Sequence, residues 1–283
     1  MSIDAENLVR YIGACQSMAG VVLATTLTGF IFLVTRRQPS PSSSADDRPR
    51  ADVDLMGPFC LLFSFVLGLA SFIVFSVMMR IAPDHFCQPT CGPNEFNSWL
   101  SPFHLMLMIL FLSMTYLAYG TYYVTRDWLW STGTPAVVTQ SQLTILRTVY
   151  FFALLGPVLV FYYFVTTVAA LWEPFILGPP GVAGVAYAIA CSVLLLVFVK
   201  GISRAFARLS RDALSLMKTT LLIAFACAGL QLIQNVMLLG GIFIGPLELA
   251  LVVARTLAVA YAVAAMFHSV REDFRVFRSA VSV

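Results

Sequence analysis

The sequence predicts an all-α integral membrane protein, a bundle of seven transmembrane helices forming one domain. Hydrophobic residues make up 59% of the 283 residues, charged residues make up only 11%, and the mean hydropathy is +0.87. A soluble domain carries about 25% charged residues, because its surface faces water. This composition excludes a soluble enzyme, a disordered chain and a disulfide-rich scaffold. Seven apolar runs are long enough to cross about 30 Å of hydrocarbon, and helices satisfy their own backbone polar groups there.

Polar connections of different lengths separate the predicted spans. They cover residues 11–35, 56–81, 99–124, 145–172, 182–200, 219–240 and 243–268. Four tryptophans mark span ends, since indole rings prefer the membrane–water boundary; they are Trp99, Trp128, Trp130 and Trp172. The connection between the last two spans, Gly240 to Ile242, is so short that it forces an antiparallel hairpin.

The distribution of basic residues predicts the orientation of the chain. Fourteen of the 17 lysines and arginines flank one side of the spans, whereas Arg10 and Arg80 flank the other and Arg255 lies within the seventh span. By the positive-inside rule, the N-terminal segment 1–10 lies outside or in a lumen, and the C-terminus is cytosolic. No cleaved signal peptide is predicted, because the first residues lack a basic region. The plasma membrane and the endoplasmic reticulum both fit this pattern.

Two cytosolic segments are predicted to be basic and amphipathic. Residues 200–218 carry apolar and basic stripes at helical spacing, the basic one formed by Arg204, Arg208 and Arg211. The tail 269–283 is predicted to form a short amphipathic helix with a similar stripe, formed by Arg271, Arg275 and Arg278. Such helices contact anionic lipids or a cytosolic protein. The remaining long cytosolic segment, 36–54, is rich in serine and proline and is predicted to be a flexible loop.

The predicted outer side has a cysteine pair and several acids. Cys87 and Cys91 stand close together in the loop 82–98, where an oxidising compartment favours a local disulfide; two free thiols are the alternative. The acids Asp84, Glu95 and Glu173 lie on or near the same side. An acidic outer mouth would concentrate cations.

The last two spans carry polar residues inside the predicted membrane. Arg255 lies near the centre of 243–268, where an arginine costs roughly 2.5–3.5 kcal/mol and usually faces a bundle interior or a water-filled cavity. Glu248 precedes it by seven residues and shares its helix face, about 10 Å away. The sixth span adds Gln231, Gln234 and Asn235. These residues predict a polar path or ligand site, with a buried polar network that only joins helices as the alternative.

The sequence therefore favours an ion channel or small-solute transporter, with cations weakly favoured. A non-conducting scaffold or accessory subunit is one alternative, and a receptor-like signalling protein is the other. The small residues Ala254, Ala258 and Ala262 repeat every four positions, which suits close packing within one chain or between subunits of a homo-oligomer. No enzyme motif, cofactor site, metal site or nucleic-acid-binding pattern is predicted, and the bilayer is the expected environment.

The outline also resembles that of a G-protein-coupled receptor, through seven spans, an outside N-terminus and a basic loop between spans five and six. That resemblance implies a receptor-like signalling protein coupling through residues 200–218. The sequence departs from the family at its motifs. Thr125-Arg126-Asp127 stands where an Asp-Arg-Tyr motif is expected, and the seventh span has no Asn-Pro-x-x-Tyr.

Overall fold

The computed structural model describes residues 5–36, 56–85, 93–131, 139–157, 222, 226, 229, 259, 262–264 and 266–279. Apart from Thr139, every described residue is helical. The elements are α1 (Ala5–Arg36), α2 (Met56–His85), α3 (Pro93–Ser131), α4 (140–157) and the C-terminal helix (266–279). The predicted fifth span, and most of the sixth, lie outside the described residues.

Three of these helices are long and apolar enough to cross a membrane. The candidate spans are Val9–Leu33, Met56–Arg80 and Phe103–Leu129. They overlap the first three predicted spans. Within the described residues, the prediction of a helical protein with apolar helices long enough to cross a membrane is therefore confirmed for three helices.

The first three helices run up, down and up. The glycines of α1 lie beside α2 in reverse order, with Gly13 near Met79, Gly20 near Phe72 and Gly29 near Leu61. Helices α2 and α3 are also antiparallel, because Gly57 contacts Val124 and Ser64 contacts Ser113. One end of the bundle is therefore formed by Arg36, Met56 and Ser131. We call it the basic end, since the predicted basic loops attach there.

Small polar residues hold α2 and α3 close together. The Ser64 hydroxyl donates a hydrogen bond to the Ser113 carbonyl at 2.8 Å, and the Ser113 hydroxyl donates to the Ser64 carbonyl at 2.6 Å. Gly68 lies one turn further along, where an added Cβ would be 3.1 Å from the Ser113 hydroxyl oxygen. Small residues permit this close approach, and the reciprocal bonds satisfy both hydroxyls.

The outer surface of α2 is apolar while its inner face is partly polar. Its exposed face follows helical spacing and comprises Leu62, Val66, Leu69, Ile73 and Val77. Ser64 and Ser71, in contrast, are fully buried. A soluble protein rarely exposes so long an apolar stripe, so this face is suited to contact with lipid.

Helix α3 is surrounded by the rest of the protein. In its membrane segment 78% of residues are buried, against 17% for α1. Its largest fully buried side chains include Phe103, Phe111, Tyr119 and Tyr122. The bundle is therefore built around α3.

Helix α3 continues past residue 124, where the predicted third span ends. Arg126 and Asp127 interrupt the apolar run, but they pair with each other and the helix reaches Ser131. The start of α4 is fixed by a reciprocal cap. The Thr139 N–H donates to Gln142 Oε1 at 2.9 Å, and the Gln142 N–H donates to Thr139 Oγ1 at 3.4 Å.

The C-terminal helix runs beside α3 in the same direction. Ser269 is bonded to Tyr123, Asp273 to Arg126, and Phe277 belongs to one apolar cluster with Leu129. The segment predicted as a cytosolic tail is thus packed along the last turns of α3. Helix α1 starts at the opposite end of the bundle, whereas the C-terminal helix runs toward the basic end.

Candidate functional site

A buried arginine near the basic end organises the most polar group of side chains in the described structure. We call it the Arg126 cluster, and it comprises Tyr122, Tyr123, Arg126, Asp127, Ser269 and Asp273. Arg126 is only 5% exposed. Its guanidinium donates through one terminal nitrogen to Asp273 Oδ1 and through Nε to Asp127 Oδ1, the latter at 2.9 Å. The second terminal nitrogen also bonds Asp127 Oδ1.

Two tyrosines complete the cluster. The Tyr122 hydroxyl donates to Asp273 Oδ2 at 2.9 Å, so both oxygens of that carboxylate accept hydrogen bonds. The hydroxyls of Tyr123 and Ser269 share a hydrogen bond of 3.0 Å. The Arg126 guanidinium carbon also lies 5.2 Å from the centre of the Tyr123 ring, within the range of a cation–π contact.

The charges of the cluster explain why an arginine is tolerated there. Burying an unpaired charge is costly, whereas a charge that is paired and hydrogen-bonded is accommodated. The side chains of Asp127 and Asp273 keep 26% and 22% of their surface exposed, so the carboxylates remain partly hydrated. The cluster therefore joins the C-terminal helix to α3 through the pair Arg126–Asp273. Removing only one partner of this pair is costly, because the other charge would remain without it.

Aromatic packing sets the orientation of the C-terminal helix. The rings of Tyr150 and Phe274 stack at 4.1 Å with an interplanar angle of 13°. Tyr150 also lies 6.0 Å from Tyr122, measured between ring centroids. Helix α4 thus contacts both α3 and the C-terminal helix, and the stacked pair helps to turn Asp273 toward Arg126.

The cluster was missed by sequence reasoning, although a signal for half of it exists. Asp273 falls between Val270 and Phe277 on the apolar face of the C-terminal helix, and both of those residues are buried. An acid on a buried face indicates a buried cationic or donor partner. The identity of that partner was not accessible, because Arg126 lies 147 residues away in the sequence.

The structure describes only some of the predicted site residues. Arg271, Arg275 and Arg278 are exposed on the C-terminal helix. Asp84 lies in the last turn of α2 and Glu95 in the first turn of α3, both at the end opposite the basic end. The others lie outside the described residues: Gln231, Gln234, Asn235, Glu248, Arg255, Glu173, Cys87, Cys91, Arg204, Arg208 and Arg211.

Comparison of the chain with known protein families, with curated proteins and with solved structures finds no match.

Proposed function

We propose that the chain forms a seven-span membrane protein that conducts an ion or a small solute along a polar path beside the predicted sixth and seventh spans. The observation that carries the proposal is the burial of the seventh span near its predicted cytosolic end. Ala262, Val263 and Ala264 are consecutive, and all three are buried. Successive helical residues point about 100° apart, so the protein covers more than half of the circumference of this helix.

Arg255 is expected to face the interior of the bundle. On helical spacing it shares a face with Val259 and Ala262, four and seven residues later, and both are buried. Glu248 would lie on the same face two turns earlier. A buried arginine with a carboxylate nearby suits a hydrated path better than lipid contact, because lipid would leave both charges unsolvated.

The central helix α3 supports a polar interior. It carries buried His104, Ser113 and Thr115 along its length, in addition to the Arg126 cluster. The Tyr119 hydroxyl is fully buried and makes no hydrogen bond within the part of the chain that the structure describes. Buried polar atoms are normally satisfied by protein or water, so water entering beside α3 would supply the missing bond.

Electrical recording in planar bilayers tests the proposal. We expect the purified full chain to carry current in asymmetric KCl. The reversal potential should lie toward the equilibrium potential of K⁺, because the acidic residues Asp84, Glu95 and Glu173 favour cations. Arg255→Gln and Glu248→Gln should shift the reversal potential or the conductance. Arg147→Gln removes an exposed charge from α4 and serves as the matched control, with no expected shift.

The outcomes separate the proposed function from its alternatives. A folded wild type that passes no current and transports no solute into liposomes would overturn the proposal. Current that is identical in the wild type and both path variants would place the conducting path elsewhere. The receptor-like and scaffold alternatives would then be tested through partners of residues 200–218.

A further inference from the structure

The C-terminal helix presents a face of arginines away from the bundle. Arg271, Arg275 and Arg278 follow one another at intervals of four and three residues, and all are exposed. The Arg275 side chain is 79% exposed and lies 3.7 Å from Glu272, a pair that is weak in water. The other nearby acid, Asp273, is turned inward to Arg126. The outward face therefore carries net positive charge.

The contacts with α3 fix the depth of this face. Hydrogen bonds match Ser269 with Tyr123 and Asp273 with Arg126. Further along, Phe277 belongs to the same buried apolar cluster as Leu129. The three arginines are consequently level with residues 124–131 of α3. The apolar span ends there at Leu129, and the two tryptophans Trp128 and Trp130 stand at the same level. Tryptophans at a span end indicate the headgroup region of a bilayer.

The surroundings of the helix determine what the arginines meet. Its inner face is occupied by α3 and by the Tyr150 ring of α4. The opposite face is open, and it also exposes the apolar side chain of Val276. At headgroup depth an open face looks into the lipid phosphates. Arginine suits this place, because its apolar stem lies along hydrocarbon and its guanidinium binds phosphate through two hydrogen bonds.

We propose that the face formed by Arg271, Arg275 and Arg278 binds the phosphate headgroups of anionic phospholipids in the leaflet at the basic end. The depth of the face favours a lipid over a protein partner, since a protein would have to approach through the headgroups. The Arg126 cluster contributes by holding the helix against α3, which keeps the three guanidinium groups at one depth. The inference is independent of conduction, and its test requires no transport.

Lipid selectivity measured by spin-label spectroscopy tests this assignment. The full chain is reconstituted in phosphatidylcholine vesicles that contain trace spin-labelled phosphatidylserine or, separately, spin-labelled phosphatidylcholine. The motionally restricted fraction of each label gives the relative association constant of the anionic lipid. We expect a clear preference for phosphatidylserine in the wild type. The triple variant R271Q/R275Q/R278Q should lower that preference about tenfold or more, and added salt should weaken the wild-type preference.

Two further variants make the result specific. Replacing the same three arginines with lysine keeps the charge and should retain most of the preference. R204Q/R208Q/R211Q removes the same number of charges from the predicted basic segment and should have a smaller effect. If the glutamine triple variant does not fold, the single variant Arg275→Gln replaces it, with a smaller loss expected.

Three outcomes would overturn the proposal. The first is a wild type without preference for phosphatidylserine, and the second is an unchanged preference in the glutamine variant. The third is an equal loss in R271Q/R275Q/R278Q and in R204Q/R208Q/R211Q, which would show that total charge and not this face attracts the lipid. If the preference is unchanged but binding of an acidic peptide to the purified protein is lost, the face serves a protein partner instead.

Discussion

At the scale of single residues, Arg126 is distinctive because it is both charged and nearly inaccessible. Two carboxylates and the face of a tyrosine ring compensate its charge. One carboxylate comes from the next residue of α3, whereas the other comes from the C-terminal helix. The bond to Asp127 is local to α3, whereas the bond to Asp273 joins α3 to the C-terminal helix.

Substituting Asp273 with asparagine tests that bond. The side chain keeps its shape but loses its charge, which leaves the buried Arg126 with one carboxylate. We expect the free energy of unfolding to fall by about 1–3 kcal/mol, and the C-terminal helix to become more accessible. Thermal unfolding in detergent micelles reports the first effect, and the rate of tryptic cleavage at Arg271, Arg275 and Arg278 reports the second.

Glu272→Gln is the matched control for this substitution. It removes the charge of the adjacent carboxylate, which is 46% exposed and pairs only weakly with Arg275. We expect a change within about 0.5 kcal/mol and an unchanged cleavage rate. Equal effects in the two variants would show that the Arg126 cluster does not hold the C-terminal helix.

At the scale of elements, α2 and α3 approach each other through residues with little or no side chain. The contact near the basic end depends on Gly120, where an added Cβ would lie 2.8 Å from Leu61 Cδ2 and 3.3 Å from Cys60 Cβ. The serine pair Ser64–Ser113 adds reciprocal hydrogen bonds further along. Close backbone approach substitutes here for the hydrophobic effect, which does not drive helices together in lipid.

Gly120→Ala is expected to destabilise this contact. Leu61 must move to accept the new methyl group, and overpacking of this kind costs about 1–3 kcal/mol. Thermal unfolding in micelles should show the loss of stability. Gly120→Ala should cost less in a chain that already carries Leu61→Ala than it does in the wild type, because the clashing side chain is then absent.

The same substitution at Gly229, a helical and exposed position, provides the control. No described atom lies within 4 Å of a Cβ built there, so Gly229→Ala should be neutral or slightly stabilising through helix propensity. A loss of stability at Gly229 as large as that at Gly120 would argue against tight packing as the cause.

At the scale of the whole molecule, the described helices constrain the topology without including every span. Helix α1 starts at one end of the bundle, and the C-terminal helix finishes at the other. These two positions are compatible with the odd number of crossings that the seven predicted spans require. The described helices also place apolar surface outside and polar groups inside. The outer stripe of α2 is apolar, whereas the charges beside α3 are buried.

Epitope accessibility tests the topology directly. A tag before Met1 should bind antibody on intact cells, or be protected from antibody in sealed microsomes until detergent opens them. A tag after Val283 should require access to the cytosolic face. A third tag within the predicted cytosolic loop 36–54 should behave as the C-terminal tag does. Both terminal tags on the same side would exclude an odd number of spans.

The sequence alone predicted helices, three of them long and apolar enough to cross a membrane, and the basic stripe of the tail. These features depend on local composition and on periodicity, which apolar runs and charge spacing report directly. The sequence could not show that the helix continues past the predicted span end at residue 124, because a charged residue looks the same in a loop as in a buried pair. Tertiary structure decided that Arg126 stays helical and buried, since its partner Asp273 is brought to it by the packing of the C-terminal helix. The same packing fixes the depth of Arg271, Arg275 and Arg278, a distance across the bundle that no pattern along the chain encodes.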